Sequence, residues 1–142
     1  MRKFLVSISI VAACFSILPA SAQKPRLYPD SIGGRVKCNA TIEMKRGYVS
    51  GICMLVNDGG VVRGSLFNEF GISALDFAYY PESDKVKLGD VMQMLNRWYI
   101  KKVLKKDLRQ LLNNLKQGIG TYRDEKYKID YSFTPLNDEN ED

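Results

Sequence analysis

The 142-residue chain has no histidine, one tryptophan and three cysteines. Each scarcity removes a class of chemistry. Without His, no Ser-His or Cys-His nucleophile system can be assembled within the chain, and the commonest general base is missing. The cysteines form no Cys-x-x-Cys pair, and a structural zinc site wants about four Cys or His ligands, so no metal centre is expected. Gly59-Gly60 and Gly118-Ile119-Gly120 belong to no Gly-x-Gly-x-x-Gly or Walker pattern, so no nucleotide cofactor is expected. Arg63-Gly64-Ser65 is not a nucleophile elbow. The carboxylates Glu69 and Asp76, and the Asp124-Glu125 pair, lack the aromatic sugar-stacking neighbours of a glycosidase. The expectation is a protein that is not an enzyme and needs no cofactor. Beyond residue 22 no run approaches the ~18 apolar residues of a membrane-spanning helix.

What is present begins with an address. Arg2 and Lys3 precede an apolar stretch, Phe4 to Leu18, broken only by Ser7, Ser9 and Ser16. Pro19 and the small-x-small Ala20-Ser21-Ala22 follow, so residues 1–22 read as a secretory signal peptide and the protein as exported and periplasmic. A second reading stays open. Val11-Ala12-Ala13-Cys14 has the apolar-small-small-Cys form of a bacterial lipoprotein cleavage site, and lipidation of Cys14 would anchor the chain to a membrane. Against it, the residues after Cys14 remain apolar.

After residue 22 the charge is uneven. Residues 23–137 hold 19 bases and 12 acids, a net of +7, and four more acids crowd into Asp138–Asp142. A basic body suits phosphate or phospholipid headgroups, which makes contact with a membrane surface one expectation. The plainer reading is a small soluble domain kept away from zero charge. Lys101, Lys102, Lys105 and Lys106, beside Trp98 and Tyr99, offer the same choice between phosphate binding and a solvated helix face. Export makes nucleic acid an unexpected partner.

The hydropathy pattern gives the fold class. Residues 23–34, with two Pro and a Gly pair, read as an extended lead-in. Val36, Cys38, Ala40, Ile42 and Met44 alternate with polar residues, the mark of a half-buried antiparallel strand over 35–44. Further strands are expected at Tyr48–Val56, Val61–Phe67, Ile72–Tyr80 and Lys85–Leu88. The turns between them are Lys45-Arg46-Gly47, Asn57–Gly60, Asn68–Gly71 and Pro81–Asp84. The period then becomes helical. Asp90 is the expected N-cap, Val91, Met92, Met94, Leu95, Trp98, Tyr99, Val103 and Leu104 form an apolar stripe, and the lysines at 101–106 fall where cations suit a helix C-terminus. Asp107 offers a point at which a second helix could start, bearing Leu108, Leu111, Leu112 and Leu115, so one helix and two helices both stay open. Tyr127–Phe133 alternates as a last strand, and residues 135–142 read as an acidic disordered tail.

Five strands, one or two helices and a strand make an α+β domain over 35–134. Its expected form is a curved antiparallel sheet of about six strands with the helices packed on one face. A hairpin tip at Lys45-Arg46 places Cys38 directly opposite Cys53. A disulfide between them and two buried free thiols both remain open, since cross-strand bridges are geometrically demanding. The aromatic load, including Phe67, Phe70, Phe77, Tyr79, Tyr80, Trp98 and Tyr99, suits either an apolar cavity between sheet and helix or a closed core.

The run from Arg63 through Gly64-Ser65-Leu66-Phe67-Asn68-Glu69-Phe70-Gly71 to Ile72, then Leu75–Tyr80, a charged turn, Lys85–Leu88 and a Leu-rich helix, resembles the LolA/LolB-like superfamily of periplasmic lipoprotein carriers. The resemblance covers about residues 36–115. It implies an unclosed, strongly curved sheet with helices as a lid over a concavity that shields acyl chains. Leu66, Phe70, Ile72, Leu75 and Phe77 would then lie on or near the lining, with Trp98 facing them from the helix. The implied partner is a lipid or a lipidated protein. A cell-envelope protein with a filled core and a protein partner is the alternative expectation.

Overall fold

The computed structural model describes residues 26–136. The expected leader over 1–22, the Cys14 lipidation site and the acidic residues 137–142 lie outside the described residues.

Seven strands form one antiparallel sheet: β1 (Arg35–Met44), β2 (Gly47–Asn57), β3 (Val62–Phe67), β4 (Ser73–Tyr80), β5 (Lys85–Val91), β6 (Thr121–Asp124) and β7 (Ile129–Pro135). Their spatial order is β5-β4-β3-β2-β1-β7-β6. One helix, α1 (Trp98–Lys116), follows a single 3-10 turn at Gln93–Leu95. The sheet curls into a half-barrel, and α1 lies in its concavity. The helix touches β5 at one edge and β6 at the other, so it spans the gap that the sheet leaves unclosed.

The alternation of β1 does what its pattern requires. Val36, Cys38, Ala40 and Ile42 turn inward against the helix, with Arg35, Lys37 and Asn39 exposed. The β1–β2 register places Cys38 opposite Cys53. Both are buried free thiols, and the Cys38 thiol donates weakly to the Cys53 carbonyl at 3.8 Å. The hydrogen bond with Cys38, and then burial, push the Cys53 thiol well above its usual pKa, which keeps it protonated and unreactive.

The structure corrects or narrows the expectation at four points. First, Asp90 is no helix cap. β5 continues to Val91 through an irregularity opposite Leu75–Phe77, and α1 starts only at Trp98, after an Arg97 cap position with no side-chain hydrogen bond. Second, of the one or two helices expected there is one among the described residues. Leu104, Leu108, Leu111, Leu112 and Leu115 make one continuous buried stripe, so Asp107 lies inside α1, fully buried, where a second helix start had stayed open. Third, Tyr127 belongs to a turn. The chain first forms β6, whose four residues pair with β7 from Thr121↔Ser132 to Asp124↔Ile129, and β7 runs on to Pro135. Fourth, the lead-in is part of the domain. Leu27, Tyr28 and Pro29 are buried, and Asn57 Nδ2 donates to the Pro29 carbonyl at 2.8 Å.

Candidate functional site

Because every strand pair is antiparallel, the connections sort into two ends. The β1–β2 tip, the β3–β4 corner, the segment leading into α1 and the β6–β7 turn all lie at one end. The opposite end holds the C-terminus of α1 and the β4–β5 turn. At 19 residues α1 is about 28 Å long, enough to run from one end to the other.

The middle of the concavity is filled. Leu66, Leu75 and Phe77 are 1%, 1% and 4% exposed and pack in the same core as the helix leucines. The Phe77 ring lies over Gly64, where an added Cβ would fall 2.3 Å from its Cζ. These three expected lining residues therefore form core and line no open space. A period-two pattern told which way they point, and the Leu stripe of α1 decided that they meet side chains there. Phe70 and Ile72 are also removed from the core. Asn68 Oδ1 accepts from both their backbone N–H groups, at 2.9 and 3.0 Å, which folds the corner tightly and turns their side chains to solvent.

Open space appears where the Leu stripe stops. Leu104 is the first fully buried residue of α1; in the two turns before it Trp98, Tyr99 and Lys102 are exposed, and Ile100 and Val103 are half-buried at the edge of the core. Between those turns, the β1–β2 tip and the β6–β7 turn is a cleft of about 1000 Å³. Met44, Ile100, Val103 and Ile129 supply apolar lining, with Trp98, Tyr99 and Tyr127 as aromatic walls. Trp98 is the one expected ligand residue that lines it, and it is 75% exposed. Its ring meets Tyr99 edge-on at 5.7 Å. A smaller cleft of about 410 Å³ adjoins it, sharing Met44, Arg46, Tyr99 and Ile100.

The charged lining is all of one sign: Lys45 and Arg46 from the hairpin tip, Lys102 and Lys106 from α1, Lys126 from the β6–β7 turn. Here the expected role of the lysines reverses. With α1 beginning at Trp98, Lys101 and Lys102 sit in its first turns, beside the positive end of the helix dipole, and the first turn contains no acid. Those charges destabilise the helix start and raise the positive potential of the cleft. An anion placed there would be favoured.

Behind the cleft wall lies a buried polar cluster that no sequence pattern indicated. Asp107 on α1 and Asp124 on β6 are 0% and 3% exposed. Tyr131 donates its hydroxyl to Asp107 Oδ2 at 2.8 Å, and the Tyr127 backbone N–H donates to Asp124 Oδ1 at 3.0 Å. Burial, then the hydrogen bond with Asp124, push the Asp107 carboxyl up to about 7. Burial would raise Asp124 too, but its hydrogen bonds with Asp107 and the Tyr127 amide outweigh that and hold it below the usual range.

The chain matches no protein-family model, no curated protein and no solved structure. Among the described residues there is no group of three or more His, Cys, Asp or Glu that could hold a metal ion. No helix among them is long and apolar enough to cross a membrane.

Proposed function

We propose that this is a non-enzymatic, exported protein of the cell envelope that binds a lipid, or the acyl chain of a lipidated protein, in the manner of the LolA/LolB-like carriers it resembles. The observation that carries the reading is the basic-rimmed apolar cleft at the first turns of α1. Its volume is within the ~300–1000 Å³ of small-molecule sites. The acyl chain lies along Met44, Ile100, Val103 and Ile129, and Trp98 covers it. The headgroup stays at the basic rim. Ten buried methylenes contribute on the order of 8 kcal/mol at ~0.8 kcal/mol each, before the cost of association. The site differs from the one implied by the resemblance, since the acyl chain enters at the end of the half-barrel and leaves the packed middle alone.

The purified protein should brighten the uncharged dye N-phenyl-1-naphthylamine and release it to a long-chain lipid. Val103→Asp should weaken dye binding by about tenfold or more while the thermal unfolding transition persists. Wild-type protein that leaves the dye dark would count against the reading.

The filled concavity favours a second reading, an envelope interaction protein that uses the exposed aromatic end against a protein partner. It expects no dye binding and a partner that crosslinks to Trp98.

A further inference from the structure

The cleft's inner wall is built around one lysine. Lys106 Nζ stands 3.7 Å from Asp107 Oδ1 and 3.6 Å from Asp124 Oδ2, while its side chain stays 55% exposed and lines the cleft. Those two oxygens are the buried side-chain atoms without a hydrogen-bond partner among the described residues. The other oxygen of each carboxyl is already used, by Tyr131 and by the Tyr127 amide. One proton between the facing orphan oxygens gives both a partner, the carboxyl donating and the carboxylate accepting. The pair then carries a single negative charge, which Lys106 cancels. The remaining rim bases, Lys45, Arg46, Lys102 and Lys126, form no ion pair among the described residues. Their charge faces the cleft together with the exposed Lys106 ammonium.

We propose that the cleft selects amphiphiles whose headgroup is an anion, carboxylate or phosphate, and that Lys106, seated on the proton-sharing Asp107–Asp124 pair, is the residue that meets it. This rests on reading the cleft as an amphiphile site and adds the headgroup and its control by pH. The groups facing Asp107 are Lys106 on α1, Asp124 on β6 and Tyr131 on β7, with Tyr122 of β6 beside Tyr131. Burial and the neighbouring Asp107 hold Tyr131 protonated. Burial would lower Lys106, but Asp124 and Asp107 outweigh it and keep Lys106 charged. Asp107, at about 7, is the member whose charge changes near neutrality. Below that pH, Lys106 and the pair sum to zero and the rim is positive. Above it the pair is a dianion, the ground beneath Lys106 turns negative, and the anion is held less tightly.

The test uses two dyes with the same apolar body, 8-anilino-1-naphthalenesulfonate and the uncharged N-phenyl-1-naphthylamine. The sulfonate keeps its charge at every pH used. At pH 6 the wild-type protein should bind the sulfonate about tenfold more tightly than the neutral dye, the worth of one charge-assisted contact. By pH 8 the preference should shrink, and Asp107→Asn should hold it constant. Lys106→Gln should reduce the preference several-fold, the other rim bases keeping the remainder, and Lys106→Arg should restore it. Displacement of the sulfonate by oleate assigns a carboxylate headgroup, and displacement by lysophosphatidate alone assigns a phosphate. Equal affinity for the two dyes, a preference undiminished by Lys106→Gln, or equal displacement by the neutral monoolein overturns the proposal and leaves the amphiphile reading standing. Failure to bind either dye overturns that reading itself.

Discussion

The two ends of α1 meet the sheet in opposite ways. At the C-terminal end, Asp84 in the β4–β5 turn accepts from Tyr79 at 2.8 Å and Asn113 at 3.0 Å, with Arg109 at 3.6 Å. Lys116 donates to the Tyr79 hydroxyl at 2.9 Å and lies over the Tyr28 and Tyr79 rings. Each polar group there has a partner, and Leu108, Leu111, Leu112 and Leu115 close the core beside them. At the N-terminal end the helix has no cap bond, Lys101 and Lys102 form no ion pair among the described residues, and Phe70, Ile72, Trp98, Tyr99 and Tyr127 stand in solvent. One helix thus fastens the fold with its last three turns and presents a surface with its first two. Stability and binding are separated along a single element.

The sharpest way to break this division is a pair of truncations. Leu111→Ala should cost ~2–5 kcal/mol in urea denaturation, as a fully buried leucine does. Trp98→Ala should stay within ~0.5 kcal/mol. Comparable losses would mean that both ends hold the fold. Next, Gly64→Ala tests whether the middle is as full as the ring of Phe77 over it implies; ~1–3 kcal/mol should be lost, with no change in dye affinity.

A smaller effect distinguishes the two carboxylate clusters by pH. Asp107 titrates at 3.8 when unperturbed and at about 7 when folded. Its protonated form therefore contributes stability that is whole below about pH 4 and lost as pH rises through about 7. Asp107→Asn should flatten that decline, by on the order of 2 kcal/mol between pH 4 and 8 in denaturation curves. Asp84 behaves in the opposite sense. The Asn113 amide, then the Tyr79 hydroxyl, hold its carboxyl below the usual range, so its contribution is present above pH 4 and lost as acid protonates it. Asp84→Ala should cost about 1 kcal/mol at pH 7 and little at pH 2, followed by chemical denaturation.

The sheet was largely legible from the sequence because its signals are local. The alternation of 36–44 and the basic hairpin tip are enough to give the Cys38↔Cys53 register found in the structure. The start of the helix was less legible. Val91–Leu95 carries apolar residues at spacings that suit a helix or an irregular strand end, and tertiary pairing with Leu75 decided for the strand. Four residues with one inward side chain gave β6 no periodic signal. The site lay beyond reach for a related reason. Leu66, Leu75 and Phe77 were correctly apolar, but their solvent or side-chain neighbours depend on where α1 lies. Asp107 looked like a cap because no pattern marks a carboxylate that will be buried opposite a second one from β6.

The sheet order carries one more consequence, for how the molecule is made. β1 is paired on one side with its hairpin neighbour β2 and on the other with β7, so that Ala40 lies against Phe133 across nearly the whole described chain. Closing so large a loop is slow and entropically costly, and it cannot begin until the last strand exists. A chain that has emerged only as far as α1 holds an open meander whose first strand waits for its second neighbour. The native state is then reached in one late, cooperative step, with the final few residues of the strand acting as the clasp.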